Sequence, residues 1–175
     1  MDAAAQGRPR TVLDAGCGDG HVTEWLHRGL HRGLPGARIS GVDVSADALA
    51  RARGRVPAAE LGVADVHDLP YGEGEFDLVV CTQVLEHVAD PRAALDELRR
   101  VSRARVLVTV PHEPWFRAGN LLRGRHLGRL GSTPGHRWTW TRAGFRRLVG
   151  ADARRLSLFP WQGAVLYTMS SSRTS

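Results

Sequence analysis

VLDAGCGDG, residues 12–20, is the stretch from which the fold is read. An apolar run ends in Asp14, and glycines follow at 16, 18 and 20. That order predicts a buried strand, a tight turn and the start of a helix. Gly16 and Gly18 lack a Cβ, so the backbone is free to turn sharply and lie against a ligand. A carboxylate at the strand's carboxyl end suits a cationic or hydroxyl-rich ligand and repels a pyrophosphate. Dinucleotide sites instead carry G-x-G-x-x-G, with phosphate resting on the helix N-terminus. The D-x-G-x-G-x-G spacing here turns away from nicotinamide cofactors. A βα turn without a ligand is the structural alternative, and the flanking sequence decides between them.

Besides the first strand, at 11–14, strand-like runs are expected at 39–44, 62–64, 76–81, 105–110, 155–159 and 164–169. The first five are short, apolar and β-branched, as strands buried on both faces are. Helices are expected at 20–33, 46–54, 91–101 and 142–149. Asp90 followed by Pro91 is a helix start, with Asp as the cap and Pro in the first turn. Thr141 caps the last helix and Gly150 ends it. Alternating strands and helices imply an α/β fold with a doubly wound, mostly parallel seven-stranded sheet. No helix separates the last two runs, and residues 160–163 are short enough for a hairpin, so an antiparallel pair is expected at one edge. HRGL occurs in tandem at 27–30 and 31–34. Two copies do not make a repeat protein; they lengthen the first helix, whose end Gly29 and Gly33 should fray.

With 175 residues and 42% hydrophobic content, the chain is expected to form a single domain over 1–175 with its own core. No run of about 18 apolar residues predicts a membrane span, and MDAAAQGRPR lacks the apolar core of a secretion signal. With only two cysteines, Cys17 and Cys81, a cytoplasmic protein with reduced thiols is expected. Both cysteines are read as small packing residues. All 24 basic residues are arginine, and the net charge is +6. That balance fits nucleic-acid binding, but coding bias, visible also in the abundant Ala and Gly, accounts for it more simply.

Three acidic residues stand where three successive strands end: Asp14, Asp43 in GVDVS and Asp65 in VADVHDLP. In an open α/β sheet, ligands bind outside the carboxyl ends of the strands. Asp43 is placed to take both hydroxyls of a ribose in a charge-assisted contact. Asp65 is placed to accept from an exocyclic amine, with the Val66 amide donating to the ring. Singly, Asp43 is equally a helix cap and Asp65 a turn residue; three in strand order argue for a site.

VLDAGCGDG, GVDVS, ADVHDLPYGEGEFDLVVCTQVLEHV and RVLVTVP together resemble class I S-adenosylmethionine-dependent methyltransferases, over about residues 11–169. The resemblance implies the Rossmann-like methyltransferase fold, S-adenosyl-L-methionine as cofactor and methyl transfer as the reaction. It implies that Asp14 and the backbone of Ala15, Gly16, Cys17 and Gly18 cradle the methionine part, that Asp43 and Val44 hold the ribose, that Asp65 and Val66 bind adenine, and that Gln83 faces the sulfonium. An N-terminal helix often covers the cofactor in such enzymes. Here the first strand begins near residue 11, so the expectation is either an open site or one covered by a partner chain or a second copy.

TQVLEHV puts Gln83, Glu86 and His87 beside the expected methyl position, on one face if the segment is a short helix. His87 has the pKa range of a general base, and Glu86 is the weaker candidate; bracing of the sheet is the structural alternative for both. His136, in GHRWTW, is the third candidate, at the mouth of the acceptor pocket. Glu86, His87 and His136 also match two histidines and a carboxylate around a divalent ion, as in the metal-dependent small-RNA 3′-end methyltransferases. Gln83 stands where those enzymes carry a second carboxylate, and a metal-independent enzyme is expected.

Residues 111–135 read as an acceptor-side cap, with apolar and aromatic residues such as Trp115, Phe116, Leu121 and Leu122 at helical spacing and arginines between them. That composition favours a small hydrophobic or aromatic methyl acceptor, with arginine free to hold a carboxylate or phosphate. Trp138 and Trp140 alternate as on a strand, one ring for the core and one for the pocket rim. The competing functions are methylation of an RNA 3′ end with a divalent metal, and an inactive cofactor-binding partner subunit.

Overall fold

The computed structural model describes residues 9–33, 36–111, 137–150, 153–158 and 161–167. In chain order the elements are β1 (Thr11–Ala15), α1 (His21–Gly33), β2 (Arg38–Asp43), α2 (Ala46–Arg55), β3 (Glu60–Val63), β4 (Phe76–Thr82), α3 (Pro91–Val101), β5 (Ser102–Pro111), α4 (Arg142–Val149), β6 (Arg154–Leu158) and β7 (Trp161–Tyr167). They form one seven-stranded sheet in the order β3-β2-β1-β4-β5-β7-β6. The first five strands pair in parallel, whereas β7 runs antiparallel to both β5 and β6.

The apolar runs become central strands because both of their faces are covered. Val12 and Val80 pack with Leu26 of α1 and Ile39 on one face. Leu13, Val79 and Cys81 pack on the other with Leu95 and Leu98 of α3 and Phe145 of α4. Burying each such Leu or Phe side chain contributes roughly 1.5–3 kcal/mol. Helix starts follow the caps: Ser45 accepts from Ala48 N–H, Asp90 from Arg92 and Ala93 N–H, and Thr141 from Gly144 N–H. α1 packs closely on α2, since a Cβ at Gly20 would stand 3.0 Å from the Ala52 Cβ.

Several boundaries differ from those read in the sequence. β3 starts at Glu60, β5 at Ser102 and β7 at Trp161, because ladder pairing with neighbours carries strands beyond their apolar centres. β7 lies inside the sheet between β5 and β6, leaving β6 at the edge. α1 runs through Gly29 to Gly33; the Glu24–Arg28 ion pair, 2.6 Å at i,i+4 spacing, supports it on the exposed side. Trp140 joins the core and Trp138 is exposed, their rings stacked with centroids 6.1 Å apart. Of the cap expected over 111–135, only Pro111 is described, at the end of β5; His136 also lies outside the described residues. Among the described residues no helix is long and apolar enough to cross a membrane.

Candidate active site

In the sheet, the connections reverse between β1 and β4, so their carboxyl ends splay apart and leave a crevice. A cavity of about 540 Å³ opens there, lined by Gly16, Gly18, Asp43, Val44, Asp65 and Val66 from the β1–β3 side. Gln83, Val84, His87, Val88 and Ala89 line it from the segment after β4, and Arg137 from the chain before α4.

The glycine turn is built as the spacing required. Gly16 N–H and Cys17 N–H both donate to the Val42 carbonyl, at 2.8 and 2.9 Å, clamping the turn onto β2. Gly16 has φ +78°, and a Cβ there would collide with the Val84 side chain. Asp43 closes the loop from the other side: one carboxylate oxygen accepts from Gly18 N–H at 2.8 Å, the other from Ser45 N–H at 2.9 Å. These bonds hold the Asp43 carboxylate on the cavity wall with lone pairs to spare.

Asp65 is likewise on the wall. Its Oδ1 accepts from His67 N–H at 2.9 Å and meets His67 Nδ1 at 2.6 Å. The His67 backbone N–H and then its ring hold the Asp65 carboxyl below the usual carboxylate range.

Asp14 stands elsewhere than expected. It is fully buried and off the cavity wall, with Oδ2 accepting from Thr23 Oγ1 at 2.6 Å. The carboxylate at the end of β1 thus reaches under the glycine turn to α1 and ties the two together. Burial pushes its pKa up to about 6, and the charge of Asp43 adds to the rise. Ala15 and Cys17 are also buried beneath the wall. Burial is the main cause that pushes the Cys17 thiol up to about 12, and it drives the buried Cys81 thiol higher still. Neither cysteine is a nucleophile at neutral pH.

The segment after β4 departs from a helix. Gln83 has φ +58°, held by its N–H to the Thr109 carbonyl at 3.0 Å and by Nε2 to Thr109 Oγ1 at 3.4 Å. A single turn follows, closed by His87 N–H to the Val84 carbonyl at 2.8 Å. Such a turn does not keep Gln83, Glu86 and His87 on one face. Gln83 and His87 line the cavity, while Glu86 points inward, 1% exposed. Neither Glu86 carboxylate oxygen has a hydrogen-bond partner among the described residues, and burial raises its pKa to about 7. The Glu86 main chain has a clear role. Its carbonyl accepts from Arg137 and Trp138 N–H at 2.8 and 3.1 Å, and Trp138 Nε1 donates to the Val88 carbonyl at 2.9 Å. These bonds latch the chain before α4 onto the turn and bring Arg137 to the wall. With Glu86 and His87 diverging, among the described residues no group of three His, Cys, Asp or Glu side chains is arranged to hold a metal ion.

Sequence reasoning missed Ala64, His67, Val84, Val88, Ala89 and Arg137. The Asp-x-His spacing at 65–67 carried a signal, since Asp at the head of a turn accepts from the N–H two residues on. Arg137 carried none, because tertiary hydrogen bonds alone bring it to the cavity.

A family model described as a methyltransferase domain matches residues 13–108, more than half of the chain. The chain belongs to the class I S-adenosylmethionine-dependent methyltransferase family. It is 39% identical over 97 residues to a malonyl-[acyl-carrier protein] O-methyltransferase of Halorhodospira halophila, covering 54% of this chain and 32% of that one. A probable S-adenosylmethionine-dependent methyltransferase of Mycobacterium tuberculosis is 31% identical over 112 residues, covering 63% of this chain and 39% of that one. This methyltransferase-family chain therefore spans well under half the length of these relatives. Its fold is shared with magnesium protoporphyrin IX methyltransferase from Synechocystis, solved with bound SAH, at a TM-score of 0.64 and 21% identity over 94% of this chain and 76% of that one.

Proposed function

We propose that this domain transfers a methyl group from S-adenosyl-L-methionine to a small hydrophobic or aromatic acceptor by in-line displacement. The observation that carries this is the convergence of the Gly16–Gly18 turn, Asp43, Asp65, Gln83 and His87 on one cavity at the strand ends. The cofactor fits these residues. A Cβ at Gly16 would jam the turn, two anchored carboxylates face the space, and the volume lies in the range of small-molecule sites. When bound, the cofactor supplies a methyl group already activated by the sulfonium charge.

The residues of the chain hold and orient. Asp43 accepts from the ribose hydroxyls, its carboxylate plane set by Gly18 and Ser45 N–H. Asp65 and Val66 receive the adenine edge, and Gln83 borders the sulfonium end. His87 takes the proton when the acceptor presents a hydroxyl or other acidic group. Arg137 offers a guanidinium to an anionic group on the acceptor. Most of the rate comes from fixing the acceptor in line with the activated methyl. An aromatic acid and phenol panel with labelled cofactor tests the proposal. Turnover should survive chelation, whereas loss with EDTA and return with Mg²⁺, Mn²⁺ or Zn²⁺ would establish a metal enzyme. Absence of binding heat with S-adenosylhomocysteine would remove the cofactor assignment altogether.

A further inference from the structure

His67 is on the cavity wall, half-buried, and bonded on both sides. Its Nδ1 lies 2.6 Å from Asp65 Oδ1, and its Nε2 accepts from Asp90 N–H at 3.4 Å. A nitrogen that faces an N–H donor is the unprotonated one, so these partners assign the ring proton to Nδ1, which donates to Asp65. Asp90 is in turn fixed, because its carboxylate caps α3 through Arg92 and Ala93 N–H at 2.9 and 3.1 Å. His67 therefore spans two walls of the cavity, the loop after β3 and the start of α3.

The bridge has a consequence at Asp65. Both His67 donors, the backbone N–H and Nδ1–H, converge on the same oxygen, Oδ1. A carboxylate gripped twice through one oxygen cannot rotate freely about its terminal torsion, so the direction of Oδ2 is set as well. Among the described residues, Oδ2 has no donor of its own.

We propose that His67 is a positioning residue, aiming Asp65 Oδ2 at the exocyclic amine of adenine and so setting the preference for an amino-bearing purine. This rests on the cofactor reading above. It makes the base selectivity of the pocket depend on a side chain that need not touch the base.

Calorimetry on the full chain tests it with two probes, S-adenosylhomocysteine and its analogue lacking only the exocyclic amine. The wild type should bind the adenosyl compound roughly 10-fold more tightly, as loss of one hydrogen bond to a charged group implies. His67→Leu should erase most of that preference while binding of the amine-free analogue stays unchanged, which also shows that the pocket is intact. His67→Asn keeps an N–H donor near the position of Nδ1 and should restore most of the preference. Equal weakening of both probes in His67→Leu, or no rescue in a folded His67→Asn, would reduce His67 to a brace and overturn the proposal. Equal affinity of the two probes in the wild type would overturn it differently, by showing that Asp65 does not read adenine. Binding of neither probe would strike at the cofactor site itself.

Discussion

The cavity wall and the layer beneath it hold the same residue type in opposite conditions. Asp43 and Asp65 stand on the wall, and each receives two N–H donors. Asp14 and Glu86 are buried behind it, Asp14 with one hydroxyl donor and Glu86 with none among the described residues. Donors stabilise the charged form of a carboxylate and burial penalises it. Asp65 is accordingly held low, while Asp14 is raised to about 6 and Glu86 to about 7. Asp65, whose charged form is favoured, faces the cavity beside Asp43. Asp14 and Glu86, whose charged forms burial disfavours, lie behind the wall within the fold.

Glu86→Gln should break this contrast most visibly. In the wild type the folded state holds the Glu86 proton to about pH 7, whereas the unfolded chain releases it near the ordinary carboxylate pKa. Its contribution is thus favourable at low pH and is lost as pH rises through about 7. The variant should match the wild type at pH 4 and exceed it at pH 8 by up to about 3 kcal/mol, read from urea melts at the two pH values. A stability difference independent of pH would show that Glu86 has found a partner for its charge.

On the wall, Asp43→Ala should weaken S-adenosylhomocysteine by roughly 10- to 100-fold, about 1.4–2.7 kcal/mol, through the lost charge-assisted contact. Unchanged calorimetric affinity would displace the ribose from Asp43. Thr23→Val probes the buried layer again. Removing the Thr23 hydroxyl donor to Asp14 should cost about 1–2 kcal/mol, and more at pH 8 than at pH 5, since that bond favours the ionised carboxylate. The smallest effect is expected at Gln83→Gly, which removes a side chain from left-handed backbone. Its stability should rise by no more than about 1 kcal/mol. A clear fall in melting temperature would mean that the Nε2 bond to Thr109 outweighs the strain.

Much of this was open to reading from residue order. The strand runs, the D-x-G-x-G-x-G turn and the caps at Asp90 and Thr141 are local signals, each set by a few neighbouring residues. So is the succession of Asp14, Asp43 and Asp65 at the ends of strands. Periodicity misjudged the TQVLEHV segment, because a left-handed Gln83 followed by a single turn sends Glu86 inward and His87 outward. Spacing alone contains no information about a reversal of that kind.

Sequence by itself determined the parallel α/β architecture, the glycine turn, the family and the positions of the acidic strand ends, because backbone preference and burial pattern act over short stretches. Only the tertiary structure decided which acids face the cavity and which lie behind it, that His67 grips Asp65 while reaching Asp90, and that Arg137 is carried to the wall by the Glu86 carbonyl. The physical reason is that charge state and orientation depend on how many donors surround a side chain and how much water reaches it. Those donors come from segments far apart in the chain.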